Sequence, residues 1–432
     1  MAKQPTIVFF PEGAYGPTNN CVGIADVLAR RGARVVFVVE ESFAGTLEAK
    51  GFEESRMRLK PPPEVEEEPG QFWKDFIRDT APEFRKSTLE QIETLTKPIW
   101  EELIDGARFV DERLRAIFDE VDPDVIVQDN VISFPAVPAS GRPWVRIMSC
   151  NPLELPDPEL PPVFSGLPSN DRTGWDEFRR SYEASHSALH SDFDAFCRER
   201  GGPPLPDGQF MYESDYLNLY LYPKEADYRR SQDPAPTWHR LDSSVRSTDE
   251  PFELPEGFES EGGLIYLSLG SLGSADVDLM GRLIDLLGRT QHRVIVSMGP
   301  QHEQLELADN MIGAEFLPQT SILPLADVVV THGGNNTVTE CFHFGKPMVV
   351  LPLFWDQYDN AQRVHELDFG VRLASYAFED GDLHGAIDRL LGEPQRRERM
   401  AAVAARLQSD PGTIKAADLI EKLADTKEPL HV

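Results

Sequence analysis

A chain of 432 residues with 41% hydrophobic and 9% aromatic side chains has the apolar material for two cores of roughly 200 residues each, which excludes global disorder. Its 73 Asp and Glu outnumber 42 Lys and Arg, for a formal charge of −31; such a surface repels phosphate backbones and anionic headgroups, so no nucleic acid and no membrane is expected as a partner. Cys21, Cys150, Cys197 and Cys341 have neither metal-ligand nor disulfide-framework spacing, and no apolar run reaches the length of a signal-peptide core or a membrane span, which predicts a cytoplasmic protein with reduced thiols.

Residues 6–10 (TIVFF) are a continuous β-branched and aromatic run, which predicts a buried parallel strand. A Gly-containing loop over 11–20 leads to a helical spacing of Val22, Ala25, Val27 and Leu28 over 21–31, and residues 34–39 predict a second strand, closing a βαβ unit. A Pro- and Glu-rich interruption at 62–70 precedes helical patterns over 72–120. Strands follow at 124–128, ending in Asp129, and at 144–148; the proline-dense 152–174 predicts a loop or lid, and 216–222 the last strand of this half. Residues 231–263 are rich in Pro, Ser, Asp and Glu and predict an interdomain linker. The strand and helix alternation then restarts, with strands at 264–269, 293–297, 327–331 and 347–351, the pattern of a parallel sheet. Ile414, Ala417, Leu419, Ile420 and Leu423 form an apolar stripe in the tail. The expected division is 1–230, linker 231–263, a second domain over 264–410, and a terminal helix within 411–432 that packs back on the first domain.

The most informative stretch is 328–370, VVVTHGGNNTVTECFHFGKPMVVLPLFWDQYDNAQRVHELDFG. A strand ends at Thr331, two glycines follow, and a helix opens around Asn335 and Asn336. Amides exposed at a helix start, unobstructed because Gly333 and Gly334 lack side chains, favour a phosphate group. Gly-Gly before a helix is by itself usually a tight turn. The combination is more specific: His332, Gly334, Asn336, Thr337 and Glu340, then Gly345 and Pro347, then Pro352 with Asp356 and Gln357, resemble the donor-binding signature of the UDP-glycosyltransferase family, the inverting small-molecule glucosyl- and glucuronosyltransferases. Phe316, Pro318 and Gln319 resemble that family's aromatic-x-Pro-Gln element, and Gly270 with Ser271 its Gly-Ser turn. The resemblance implies an α/β fold of two Rossmann-like domains facing across a cleft (GT-B), donor in the second, acceptor in the first.

It also implies roles. Phe316 would stack on the nucleobase with Gln319 beside it, Glu340 would accept from the ribose hydroxyls, and Ser271, His332, Gly334, Asn336 and Thr337 would hold the diphosphate. Asp356 and Gln357 would read hydroxyls of the transferred sugar, with UDP-glucose the preferred donor and TDP-sugars left open. A carboxylate suits a diol and neutral donors suit a diphosphate. No metal site is evident, so no cofactor and no metal are expected, the leaving diphosphate being stabilised by the helix start and His332.

The resemblance fails at one place. The family's base is commonly a His in the first βα loop, where this chain has Pro17, and the first histidine of the chain is His186. Asp129 is the first candidate to replace it and Glu12 the second, since a carboxylate with a raised pKa acts as a base. Phe72, Trp73, Phe76, Trp100, Phe134, Trp144, Phe164, Trp175 and Phe178 offer apolar walls for a small lipophilic acceptor such as a flavonoid, polyketide or macrolide. A sugar-nucleotide epimerase or hydrolase, or a donor-binding protein without transfer, are the alternative readings.

Overall fold

The computed structural model describes residues 4–62, 79–258 and 262–432. Phe72, Trp73 and Phe76 lie outside the described residues, as do most of the Pro- and Glu-rich interruption and residues 259–261.

The first sheet has seven strands in the order β3-β2-β1-β4-β5-β6-β7: β1 (Thr6–Pro11), β2 (Arg34–Glu40), β3 (Glu53–Met57), β4 (Val125–Asp129), β5 (Trp144–Met148), β6 (Leu217–Tyr220) and β7 (Trp238–Arg240). The second has six in the order β10-β9-β8-β11-β12-β13: β8 (Leu264–Ser268), β9 (Arg293–Ser297), β10 (Met311–Ala314), β11 (Val328–Thr331), β12 (Met348–Val350) and β13 (Gly370–Arg372). Every pairing is parallel, so both faces of each sheet need helices to cover them. The first core packs Val22, Ile24 and Leu28 of helix Tyr15–Arg30 on one face of β1, β2 and β4, while helices Lys97–Val121 and Trp175–Glu199 cover the other. Helix Gly412–Thr426 returns from the second half to this first core, where Ala416, Ala417, Ile420 and Leu423 are fully buried. Burying Ile420 and Leu423 alone contributes on the order of 4 kcal/mol.

The cores of the two halves are not separate. Met148, Tyr220, Tyr222 and Trp238 of the first sheet's region pack in one apolar cluster with Tyr266, Val329, Phe342 and Val350 of the second.

Each sheet reverses its strand order once, between β1 and β4 and between β8 and β11. Loops leaving neighbouring strands there diverge and leave a crevice at the carboxyl ends. The register places Pro11 beside Asp129 at the first reversal and Ser268 beside Thr331 at the second.

Two elements differ from the sequence expectation in ways that matter for the site. The first helix begins at Tyr15 instead of residue 21, because Pro17 sits in the first turn, where its missing N–H costs nothing; the loop after β1 is correspondingly short. The stretch 231–263 contains β7, which extends the first sheet by three residues, too few for a periodic signal. Among the described residues no helix is long and apolar enough to cross a membrane.

Candidate active site

The second sheet's crevice is built around His332. A Cβ on Gly270 would stand 2.7 Å from His332 Cε1, and one on Gly334 would stand 2.5 Å from its Nε2; Gly270 also holds φ +70°. Only glycine lets the two loops close on the imidazole from both sides. Burial lowers the His332 pKa to about 4, so the ring is neutral at physiological pH and acts as a hydrogen-bonding group without charge. Helix Asn335–Phe344 starts beside it with Gly334 as N-cap and no side-chain cap, so the first-turn amides remain directed into the crevice. Ser271 lies in the short helix Gly270–Gly273; its side chain is outside the described residues.

Along the same helix, Glu340 is almost fully buried. Its Oε1 accepts from Asn336 Nδ2 at 3.1 Å and from Arg246 Nη1 at 2.8 Å, and its Oε2 accepts from Gln319 Nε2 at 2.6 Å. Gln319 also donates to Thr337 Oγ1 at 3.2 Å and accepts from Tyr266 OH at 3.2 Å. The structure therefore brings Gln319, Asn336, Thr337 and Glu340 into one network, joined by Arg246, which no motif in the chain singles out. Phe316 stands at the rim with 53% of its surface exposed, its ring facing Tyr15 of the first helix.

Asp356 and Gln357 occupy the loop and first turn of helix Gln357–Glu366. Gln357 Oε1 accepts from the backbone amides of Leu353 and Phe354 at 3.0 and 3.3 Å, so that oxygen shapes its own loop. Asp356 Oδ2 accepts from Asn151 N at 2.9 Å and Asn360 Nδ2 at 3.2 Å, while Asn151 Nδ2 donates to Asn360 Oδ1 at 2.8 Å. Asn151 follows β5, so this buried clasp joins the two halves. The proline-dense segment is tied down by the same helix: Asp359 accepts from the backbone amides of Phe164 and Gly166 at 2.6 and 2.8 Å, and Glu366 from Ser169. Between them Trp355, at φ +58°, packs at a tilt against Phe164 and Trp100, with ring centroids 4.3 and 5.0 Å away. An aromatic wall thus takes side chains from both halves. Trp144, Trp175 and Phe178, expected as acceptor-site candidates, are buried, as are Trp100, Phe134 and Phe164; of the aromatic wall, Trp355 is the partly exposed member.

The first sheet's crevice holds carboxylates. Asp129 ends β4 with 2% of its surface exposed; Oδ1 accepts from Ser149 Oγ at 2.7 Å and Oδ2 has no partner. Burial pushes its pKa well above the usual carboxylate range, and neighbouring Glu12 adds to the rise. Glu12 is only half-buried, with its backbone N–H donated to Asp129 O at 2.7 Å. Burial, then the charges of Glu154 and Asp356, raise its pKa from 4.5 to about 7. Glu12 is partly exposed where Asp129 is 2% exposed, so Glu12 is the carboxylate nearer the surface and Asp129 stands behind it. Glu154 is held by Arg146 Nη2 at 3.5 Å. Pro17 occupies the helix's first turn and offers no proton acceptor. Across the gap, a Cβ at Gly16 would lie 3.9 Å from Asn336 Cβ, so the loop bearing Glu12 faces the helix start beside His332. Among the described residues no group of three or more His, Cys, Asp or Glu is arranged to hold a metal ion.

The chain is similar to known proteins in sequence and in fold. Residues 281–423 match the family model described as erythromycin biosynthesis protein CIII-like, C-terminal domain. The oleandomycin glycosyltransferase of Streptomyces antibioticus is 23% identical over 430 residues, covering 98% of this chain and 92% of that protein. Among solved structures, the glycosyltransferase of kitacinnamycin superposes with a TM-score of 0.68 at 22% identity, covering 98% of this chain and 99% of the other. The calicheamicin glycosyltransferase superposes at 0.69 and 20% identity, covering 99% and 100%. Both have the same two-domain fold.

Proposed function

We propose that this chain, a glycosyltransferase similar along its length to the oleandomycin glycosyltransferase and over residues 281–423 to the erythromycin CIII-like family, moves a hexose from a pyrimidine nucleoside diphosphate to a hydroxyl of a small lipophilic natural product, in one inverting displacement without a metal. The observation that carries this reading is the meeting of two unlike chemistries across one cleft. On one side stand an uncapped helix start and a neutral His332; on the other stands Glu12, half-buried and with a pKa of about 7.

The first-turn amides of helix Asn335–Phe344, with His332, hold the diphosphate and stabilise it as it leaves. The exposed ring of Phe316, with Tyr15 beside it, offers its face to the nucleobase, and Asp356 reads the sugar. Glu12 removes the acceptor's hydroxyl proton as that oxygen bonds to the anomeric carbon and the bond from carbon to diphosphate oxygen breaks; the proton stays on Glu12 and the electron pair leaves with the diphosphate. A base with a pKa near the working pH is half ionised and still basic enough to accept a proton. Asp129, deeper in the fold, holds Glu12 by the backbone hydrogen bond from Glu12 N to Asp129 O and does not meet the acceptor directly. The partly exposed Trp355, backed by the buried rings of Phe164 and Trp100, suits a flat or macrocyclic aglycone, in keeping with relatives whose names refer to oleandomycin and calicheamicin.

Incubation with UDP-glucose or TDP-glucose and a panel of macrolide, polyketide and flavonoid aglycones, followed by mass spectrometry, tests the reading. A hexosylated aglycone and free nucleoside diphosphate are expected. Consumption of donor to free sugar, or its return as an epimer, with no aglycone modified, speaks for the hydrolase or epimerase reading instead.

A further inference from the structure

A carboxylate has about four acceptor positions on its two oxygens, and the donor-site reading gives those of Glu340 to the nucleoside's sugar. Three are already taken within the protein: two on Oε1 by Arg246 and Asn336, and one on Oε2 by Gln319. A ribose offers a 2′- and a 3′-hydroxyl; a 2′-deoxyribose offers only the 3′.

Arg246 is not a loose side chain that a ligand easily displaces. Its Nε and Nη2 form a fork on Asp249, each at 2.7 Å. Asp249 Oδ2 is in turn held by the backbone amide and hydroxyl of Thr320, at 3.2 and 2.9 Å. Two of the three guanidinium nitrogens being fixed in a planar group, the third is aimed at Glu340. The backbone behind is equally fixed, since a Cβ on Gly23 of the first helix would meet Arg246 N and Cα at 3.4 Å. Arg246 is 8% exposed and Glu340 1%, so withdrawing the guanidinium would leave a buried carboxylate short of its counter-charge.

We propose that Arg246, by occupying Glu340 Oε1, makes the donor site selective for 2′-deoxyribonucleoside diphosphates over their ribose counterparts. This rests on the donor-site reading above and narrows it. The 3′-hydroxyl takes the remaining position on Oε2. A 2′-hydroxyl arrives at a carboxylate edge that has no acceptor left and loses its water without a replacement partner. The donor class is then a 2′-deoxynucleoside diphosphate sugar in place of UDP-glucose, and the methyl group that separates thymine from uracil plays no part in the choice.

Uridine diphosphate and 2′-deoxyuridine diphosphate differ only in that hydroxyl, so calorimetry of both on the full chain reads the proposal directly. The deoxy form is expected to bind at least about tenfold more tightly; equal binding, or tighter binding of the ribose form, overturns it. Arg246→Met frees a position on Oε1 while keeping the apolar stem, and the gap is expected to shrink to about twofold or less. An unchanged gap in a variant with the wild-type circular dichroism spectrum removes Arg246 from the account. Should Arg246→Met not fold, Asp249→Asn, which loosens the fork and keeps the arginine, is expected to narrow the gap in the same sense, and the wild-type comparison decides without either variant. Failure of both nucleotides to bind refutes the donor site itself, a result distinct from a preference for ribose.

Discussion

The rings of Tyr15 and Phe316, carried by opposite halves of the chain, face each other with 5.8 Å between centroids and 38° between planes. Both are largely exposed, at 46% and 53%, a costly placement for two aromatics unless a third ring joins them. Base-aromatic stacking contributes about 1–3 kcal/mol, so Tyr15→Ala and Phe316→Ala are each expected to weaken nucleoside diphosphate binding at least about fivefold, while Tyr15→Phe leaves it unchanged. If calorimetry finds full affinity in Tyr15→Ala, that ring serves only Phe43, on which it also packs at 5.5 Å.

Glu12→Gln is expected to retain donor affinity and lose turnover by about 10²-fold or more, the scale of general-base removal. Asp129→Asn should lose less. This reverses the order of the two carboxylates expected from sequence. The loss should be smaller on a phenol, partly ionised unaided, than on an aliphatic alcohol. In the wild type, kcat/KM on the alcohol should rise through about pH 7, the value belonging to Glu12 together with the acids around it. Retained turnover in Glu12→Gln on the alcohol would move the role back to Asp129.

The same raised pKa links to stability. Folded Glu12 holds its proton more tightly than an unfolded glutamate, from 4.5 to about 7, so its contribution is fully present below the unfolded value and is lost as pH rises through the folded one. Thermal melts at pH 5 and pH 8 should therefore differ less in Glu12→Gln than in the wild type. An identical difference in both would mean that Glu12 ionises in the folded protein as it does in water.

The closeness of two glycines to His332 predicts a non-additive pair. Gly334→Ala brings a Cβ to 2.5 Å from Nε2 and should lower stability by about 1–3 kcal/mol while displacing the imidazole from the diphosphate site. His332→Ala removes the obstacle, so the double variant should be more stable than Gly334→Ala alone. Denaturant titration of the three variants measures this; strict additivity would show that the loop shifts freely.

Asn151→Ala leaves Asn360 Oδ1 without its 2.8 Å donor and is expected to cost about 1–3 kcal/mol. Because the apolar cluster continues from one half into the other, scanning calorimetry should still record one unfolding transition at a lower Tm. Two resolved peaks would mean that the clasp, and not the shared core, holds the halves together.

How much of this was legible depended on whether a signal was local. β1 (TIVFFP) and β4 (VIVQD) are buried along their length and are built on consecutive apolar residues, so they could be read directly. β3 (EESRM) is a sheet edge with four of its five residues not fully buried, and it carries no such run. The run from His332 to Gln357 was readable because its residues are close in sequence, spread over one helix, β12 and the loop that opens the next helix. The depth of Asp129 relative to Glu12 was not, since it depends on which carboxylate approaches the second sheet. Nor was Arg246, whose role depends on Asp249 beside it and on Glu340, 94 positions away, in a stretch with no periodicity. Asn151 and Asp356 likewise meet only after both sheets have formed.

The return of helix Gly412–Thr426 to the first core has a consequence for the order of assembly during synthesis. Ala416, Ala417, Ile420 and Leu423 are translated after the whole second sheet, so the first domain emerges from the ribosome with the apolar face beside Val22 and Ile24 uncovered. It must wait, exposed or chaperoned, while some 170 further residues are made; at about 5–20 residues per second that is on the order of ten to thirty seconds. A fragment of residues 1–240, which keeps β7, would carry the same gap permanently, and supplying residues 412–426 as a separate peptide would be the direct way to fill it.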